Sequence, residues 1–290
     1  MATLKEVQLK IVGVKKTKQI TNAMKMVATS RLRGNQLAME QFRPYAAKYA
    51  EVLGSLSEKA GGEASPLLIP KENVKKVHIV LCTDDKGLCG SFNSNLLKKV
   101  DNYIKDNSDK GYEFSLSSFG KKGADWAKKQ GLEVKTALEG KLTFSDASNS
   151  GRNLIDGFLN GDYDKVVLIY SEFKNMASQK PVVKQVLPIP AIEKIEEEED
   201  KPFQAEHICE PDPAQLLNEM LPKNVYIQIF SAILETATSK EAARMTAMDN
   251  ATKACEDLID ELVTIYNKAR QAAITNDLMD IVSGAEALKG

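Results

Sequence analysis

In the last third of the chain, apolar and small residues recur at alternating steps of three and four. Leu234, Thr238, Glu241, Met245, Met248, Thr252, Cys255, Ile259, Leu262, Tyr266, Ala269, Ala273 and Asn276 lie on one line of that spacing. This is the 3.5-residue period of a coiled-coil seam. No proline or glycine interrupts residues 223–283, and a continuous helix there would be on the order of 90 Å long. The occupants are not those of a leucine zipper, because Thr, Glu, Ala and Asn stand where Leu or Ile would normally sit. Lys240, Arg244, Asp249, Lys253, Glu256, Asp257, Asp260 and Glu261 charge the other faces. The pattern predicts a solvated shaft with a thin apolar seam.

A matching seam lies at the other end of the chain. Leu4, Val7, Ile11 and Val14 step by three and four, followed after a break by Ile20, Met24 and Val27. Helix-compatible residues continue to about residue 58, and Pro44 is expected to bend that helix or divide it. Two long helices with matching seams read most simply as an antiparallel pair. Two unrelated amphipathic helices on a globular core would give the same periodicity.

Between the helices the period changes. Residues 77–82, 112–119, 133–138, 165–170 and 181–187 read as strands, and 93–104, 123–129 and 148–159 as helices, with Ser145, Asp146 or Ser148 as candidate caps of the last. Strands alternating with helices predict a mostly parallel sheet. The fold class is α/β: a long antiparallel coiled coil of N- and C-terminal helices with an inserted Rossmann-like α/β domain. Its expected divisions are an N-terminal shaft helix over 1–58, the α/β domain over 73–190, a linker over 191–213, and a C-terminal shaft helix over 214–290.

Composition narrows the function classes. A net charge of −1 over 290 residues gives no argument for nucleic acid as a partner. Charge is unevenly spread: over residues 5–25, Lys5, Lys10, Lys15, Lys16, Lys18 and Lys25 stand against Glu6 alone, which suits an acidic protein surface, whereas the acidic run 196–200 suits a solvated loop. Cys82, Cys89, Cys209 and Cys255 lack metal-ligand spacing, and His78 and His207 are the only histidines. No zinc site or disulfide framework is expected, in keeping with a reducing compartment. No apolar run approaches the roughly 18 residues that span a bilayer, and the first residues lack a signal-peptide core.

The turn after the first strand, Thr83-Asp84-Asp85-Lys86-Gly87-Leu88-Cys89-Gly90-Ser91-Phe92-Asn93, invites a nucleotide-binding reading. It has neither dinucleotide nor P-loop glycine spacing, and its paired aspartates would repel a phosphate. A structural turn is the stronger reading. No set of residues converges on catalysis, and no cofactor or metal is expected. An enzyme built on the α/β domain, or a structural coiled-coil adaptor, remains an alternative on these grounds.

These segments together resemble one family, the γ subunits of F-type ATP synthases. Ile20-Thr21-Asn22-Ala23-Met24-Lys25-Met26-Val27-Ala28 is similar to its first signature. The turn 83–93 resembles its S-D-x-G-L-C-G-x-F-N motif, with Thr83 in place of serine. Residues 170–175 match loosely, while 244–248, 266–275 and 281–285 carry the most specific likeness. The resemblance implies a non-catalytic central rotor shaft that couples c-ring rotation to ATP synthesis or hydrolysis. Its implied partners are the α and β subunits of the head, the ε subunit and the c-ring. It also implies peripheral attachment to the cytoplasmic face of a bacterial inner membrane, through the complex alone. The cysteine-bearing regulatory insertion of the plastid form is absent, and the Met1 start without a transit peptide points to a bacterial protein. On the same grounds Met24, Lys25, Arg270, Gln271 and Thr275 are expected to contact β subunits. Met24 is equally a seam-packing residue, and the last three equally a solvated helix face.

Overall fold

The computed structural model describes residues 4–60, 65–71, 73–190 and 212–288. The acidic run 196–200, His207 and Cys209 of the expected linker lie outside the described residues. Two very long helices, α1 (Leu4–Ala60) and α5 (Pro213–Ala287), flank an alternating segment. Its elements are β1 (Lys76–Cys82), α2 (Phe92–Asp106), β2 (Glu113–Phe119), α3 (Lys121–Lys129), β3 (Glu133–Leu138), α4 (Phe144–Asn160), β4 (Lys165–Phe173) and β5 (Gln179–Leu187). By contacts the chain forms two compact units, Met1–Thr29 with Arg244–Gly290, and Ser30–Ala243.

The larger unit holds a five-stranded sheet in the order β3-β2-β1-β4-β5. Its pairings are parallel except for the antiparallel β4–β5 edge. Alternation along the strands feeds two apolar clusters. Val77, Ile79 and Leu81 pack with Leu96 and Val100 of α2 and Ala127 of α3. Val80, Val166 and Leu168 pack with Leu154 and Phe158 of α4, Leu53 of α1, and Leu217, Leu221, Val225 and Ile229 of α5. Each fully buried Leu or Ile contributes about 1.5–3 kcal/mol relative to exposure, so the helices are fastened to the sheet chiefly by this burial. Gly151 permits the approach of α4 to α5, because a Cβ there would run into the Tyr226 ring.

Local chemistry explains where elements start. Asp212 caps α5 by accepting the Ala214 N–H at 3.1 Å, and Pro213 occupies the first helical position, where its missing N–H costs nothing. Pro44 and Pro222 both lie inside helices rather than ending them. Each removes one ladder bond, and long flanking turns hold the helix through it. Helix α4 begins earlier than its periodicity suggests. Its cap is Thr143 rather than Ser145, Asp146 or Ser148, and Asp146 returns the bond in a capping box.

Candidate functional site on the helical pair

The smaller unit consists of the first part of α1 and the last part of α5. Along α5, Met245, Met248, Thr252, Cys255, Ile259, Leu262, Tyr266, Ala269 and Ala273 are half-buried or buried, as the heptad spacing predicts; Asn276 is exposed. Along α1 the expected seam needs correction. Leu4, Val7, Ile11 and Val14 face inward, but Ile20 and Val27 are 60% and 52% exposed. The inward line instead continues without a break through Lys18, Thr21, Met24 with Lys25, and Ala28. Polar residues hold the seam where apolar ones were sought.

Those polar residues are matched across the pair. Lys18 Nζ lies 2.8 Å from Glu256 Oε1, the Thr21 and Thr252 hydroxyls are 2.9 Å apart, and Lys25 Nζ lies 2.6 Å from Asp249 Oδ1. The paired residue numbers add to 274, 273 and 274, which is the signature of an antiparallel register. Extended by heptads, that register sets Val14 beside Ile259, Ile11 beside Leu262, Val7 beside Tyr266 and Leu4 beside Ala269. Hydrogen bonds from Lys25 and then Lys253 hold the Asp249 carboxyl below the usual carboxylate range. Two charged pairs around a threonine pair thus fix the register of an otherwise weak apolar seam.

Sequence-expected site residues fall into two groups on this pair. Met24 and Lys25 are half-buried, and Lys25 is engaged with Asp249. Arg270, Gln271 and Thr275 are exposed near the other end of the unit, where the Thr275 hydroxyl donates to the Gln271 carbonyl at 3.0 Å. Twenty-one residues of helix separate Asp249 from Arg270, about 31 Å at the α-helical rise. The two groups therefore form separate surfaces. Beyond Ala273, α5 presents exposed Ile274, Leu278, Met279, Ile281 and Val282. By the register above, no described residue of α1 stands opposite them.

The turn 83–93 is bonded within itself and to the neighbouring elements. Asp85 accepts the N–H groups of Lys121 and Gly140 at 3.0 and 2.9 Å, joining the starts of α3 and the end of β3. Asn93 Oδ1 accepts the Asp84 N–H at 3.1 Å, and the Thr83 hydroxyl accepts the Gly123 N–H at 2.9 Å. Gly120, at φ 111°, lies so close to Thr83 that a side chain there would strike its backbone. Of the turn's own backbone donors, the N–H groups of Asp84 and Asp85 are taken by the side-chain oxygens of Asn93 and Asp84. A cavity between Ser117, Lys135, Asn153 and Tyr163 has about 30 Å³, room for water rather than a nucleotide. Among the described residues, no cluster of three or more His, Cys, Asp or Glu could hold a metal ion.

A family model described as ATP synthase matches residues 3–288. The ATP synthase gamma chain of Desulforapulum autotrophicum is 60% identical over 99% of this chain and all of its own length. The chain belongs to the ATP synthase gamma chain family. A second gamma chain, from Nitratidesulfovibrio vulgaris, is 48% identical over the full length of both. Among solved structures, the Tetrahymena thermophila mitochondrial ATP synthase central stalk and c-ring contains a chain that is 25% identical. That match has a TM-score of 0.58 and covers 80% of this chain and 99% of the other. A chain of the Euglena gracilis mitochondrial ATP synthase rotor is 19% identical, with a TM-score of 0.67 over 93% and 98%. At that identity the likeness speaks for the fold alone.

Membership of the gamma chain family gives the polar seam a context. A gamma chain whose two terminal helices are held in register by Lys18–Glu256, Thr21–Thr252 and Lys25–Asp249 keeps its apolar contact narrow. Among the described residues, no helix is long and apolar enough to cross a membrane.

Proposed function

We infer that this gamma chain is the non-catalytic rotor shaft of an ATP synthase. It turns inside a ring of α and β subunits, with its α/β unit standing on the c-ring beside an ε subunit. Attachment to the cytoplasmic face of the membrane is then indirect, through the complex. The observation that carries this reading is the helical pair with its polar, register-fixing seam and the exposed helix that continues past it. A shaft that rotates within a ring works against any deep, uniform apolar grip, since each favoured orientation would be a trap. Only contacts that differ between orientations can shift the ring's conformational equilibria. Exposed Arg270, Gln271 and Thr275 supply such contacts on one side of α5, and Met24 with Lys25 a second set about 31 Å away along the helix.

Catalysis then belongs to the ring. The purified chain is expected to hydrolyse no ATP, with hydrolysis appearing on assembly with α and β subunits. Turnover by the chain alone, persisting after removal of contaminating ATPase, would defeat the shaft reading. Proton uptake by vesicles carrying the assembled complex tests the coupling role directly.

A further inference from the structure

The turn 83–93 has no role in the reading above, yet it is tied to α5 by buried charge. Lys240 Nζ lies 3.0 Å from Asp84 Oδ1, with 19% and 4% of the two side chains exposed. Asp84 is itself held in place: its Oδ1 accepts the Asp85 N–H at 2.9 Å and its own N–H is bound by Asn93. Asp85 in turn fixes the backbone of α3 and of the segment after β3. One residue before Lys240, the Ser239 hydroxyl donates to the Ser171 carbonyl at 3.2 Å. Arg43 of α1 donates to the Phe173 carbonyl at 3.4 Å and stands 3.5 Å from Glu235.

Polar bonds from residues 235–240 thus meet the C-terminal ends of β1 and β4. The other contacts of α5 with the sheet are largely apolar, through Leu217, Leu221, Val225 and Ile229. Apolar burial is non-directional and resists sliding or turning of a helix poorly. A charge-assisted hydrogen bond fixes both position and direction. We propose that Asp84 and Lys240 are positioning residues for torque transfer, locking α5 to the sheet so that both move as one body under load. This rests on the rotor reading, and it gives the turn a mechanical role in place of a nucleotide site.

The test uses assembled ATP synthase in inverted membrane vesicles, with ATP hydrolysis and ATP-driven proton uptake measured side by side. Lys240→Met leaves the Asp84 carboxylate buried without this cation. Protons taken up per ATP should fall at least about twofold, while hydrolysis and subunit content stay near the parent's. Lys240→Arg should restore the ratio, because a guanidinium supplies the same donor. The double variant Asp84→Asn with Lys240→Met removes both charges of the pair; it should assemble normally and still couple poorly, which separates the lock from folding. A parent ratio in Lys240→Met, or a loss accounted for by lower subunit content alone, overturns the proposal. Parent vesicles that hydrolyse ATP without taking up protons would instead overturn the rotor reading, and the proposal with it.

Discussion

Acid should weaken the α/β unit well before its carboxylates titrate, and His78 is the reason. The ring is fully buried on β1, 4.3 Å from the Tyr163 ring. Its Nδ1 and Nε2 lie 2.7 and 2.9 Å from the hydroxyls of Ser115 and Ser117. Hydroxyls can donate or accept, so these bonds do not themselves forbid a protonated ring. Burial does, assisted by the charge of Lys135, and together they press the pKa from 6.5 down to about 3. The sign follows from proton binding. Between those values the unfolded chain binds the proton and the folded chain does not, so stability present above pH 6.5 drains away as pH falls.

Each pH unit in that window costs about 1.4 kcal/mol, and from pH 7.5 to 5 the loss is about 2 kcal/mol. The chain has one tryptophan, Trp126, packed on the sheet cluster, so its fluorescence during urea denaturation reports on the α/β unit. His78→Gln, which cannot take a proton, should unfold at lower urea at pH 7.5 but lose about 2 kcal/mol less between pH 7.5 and 5 than the parent. The second histidine is common to both proteins and cancels. Equal losses in parent and variant would refute the assignment.

Three further outcomes are expected. Gly151→Ala should destabilise the α/β unit by about 1–3 kcal/mol through the Tyr226 ring, by urea midpoint, with relief in Gly151→Ala plus Tyr226→Leu. Replacing both Thr21 and Thr252 by Val should leave the helical pair within about 1 kcal/mol of the parent in thermal melts, because both polar partners leave together. The triple Ala variant at Arg270, Gln271 and Thr275 should fold within about 0.5 kcal/mol per site of the parent yet slow ATP hydrolysis by the assembled head; hydrolysis at the parent rate would refute the contact assignment.

Much of the fold was legible because burial leaves a period. The α5 seam follows the three-and-four line from Leu234 to Ala273, and β1 and β4 are the short apolar runs of strands buried on both faces. Sequence reading failed where polarity and burial part company. A search for apolar residues chose Ile20 and Val27 on α1, which point outward, over Lys18 and Thr21, which point inward. Strict continuation of the heptad from Leu4, ignoring chemistry, would have found them. The start of α4 was missed because Phe144 is exposed and contributes no periodic signal, while Thr143 with Asp146 already spelled a capping box. Asp84 and Lys240 lie on separate elements that only the tertiary fold brings together, so neither period nor motif could join them.

The polar seam then answers a question that stability alone cannot. Surface ion pairs add little free energy, and replacing matched pairs by apolar residues is often neutral or stabilising. What Lys18–Glu256, Thr21–Thr252 and Lys25–Asp249 supply is register. A slip of one heptad would match only one lysine with an acid, Lys18 with Asp249 or Lys25 with Glu256, and would separate the other two charges from these partners, whereas an apolar seam of Ala, Met and Leu would accept the slip. Register decides where Arg270, Gln271 and Thr275 stand along the pair relative to Met24 and Lys25. A shaft whose two contact groups must act at fixed heights therefore gains more from matched polar pairs than from a tighter apolar core. Replacing Lys18, Lys25, Asp249 and Glu256 together by Leu or Met should raise the melting temperature of the pair and yet lower ATP-driven proton uptake per ATP hydrolysed. Uptake unchanged in such a stabilised variant would show that register is set elsewhere.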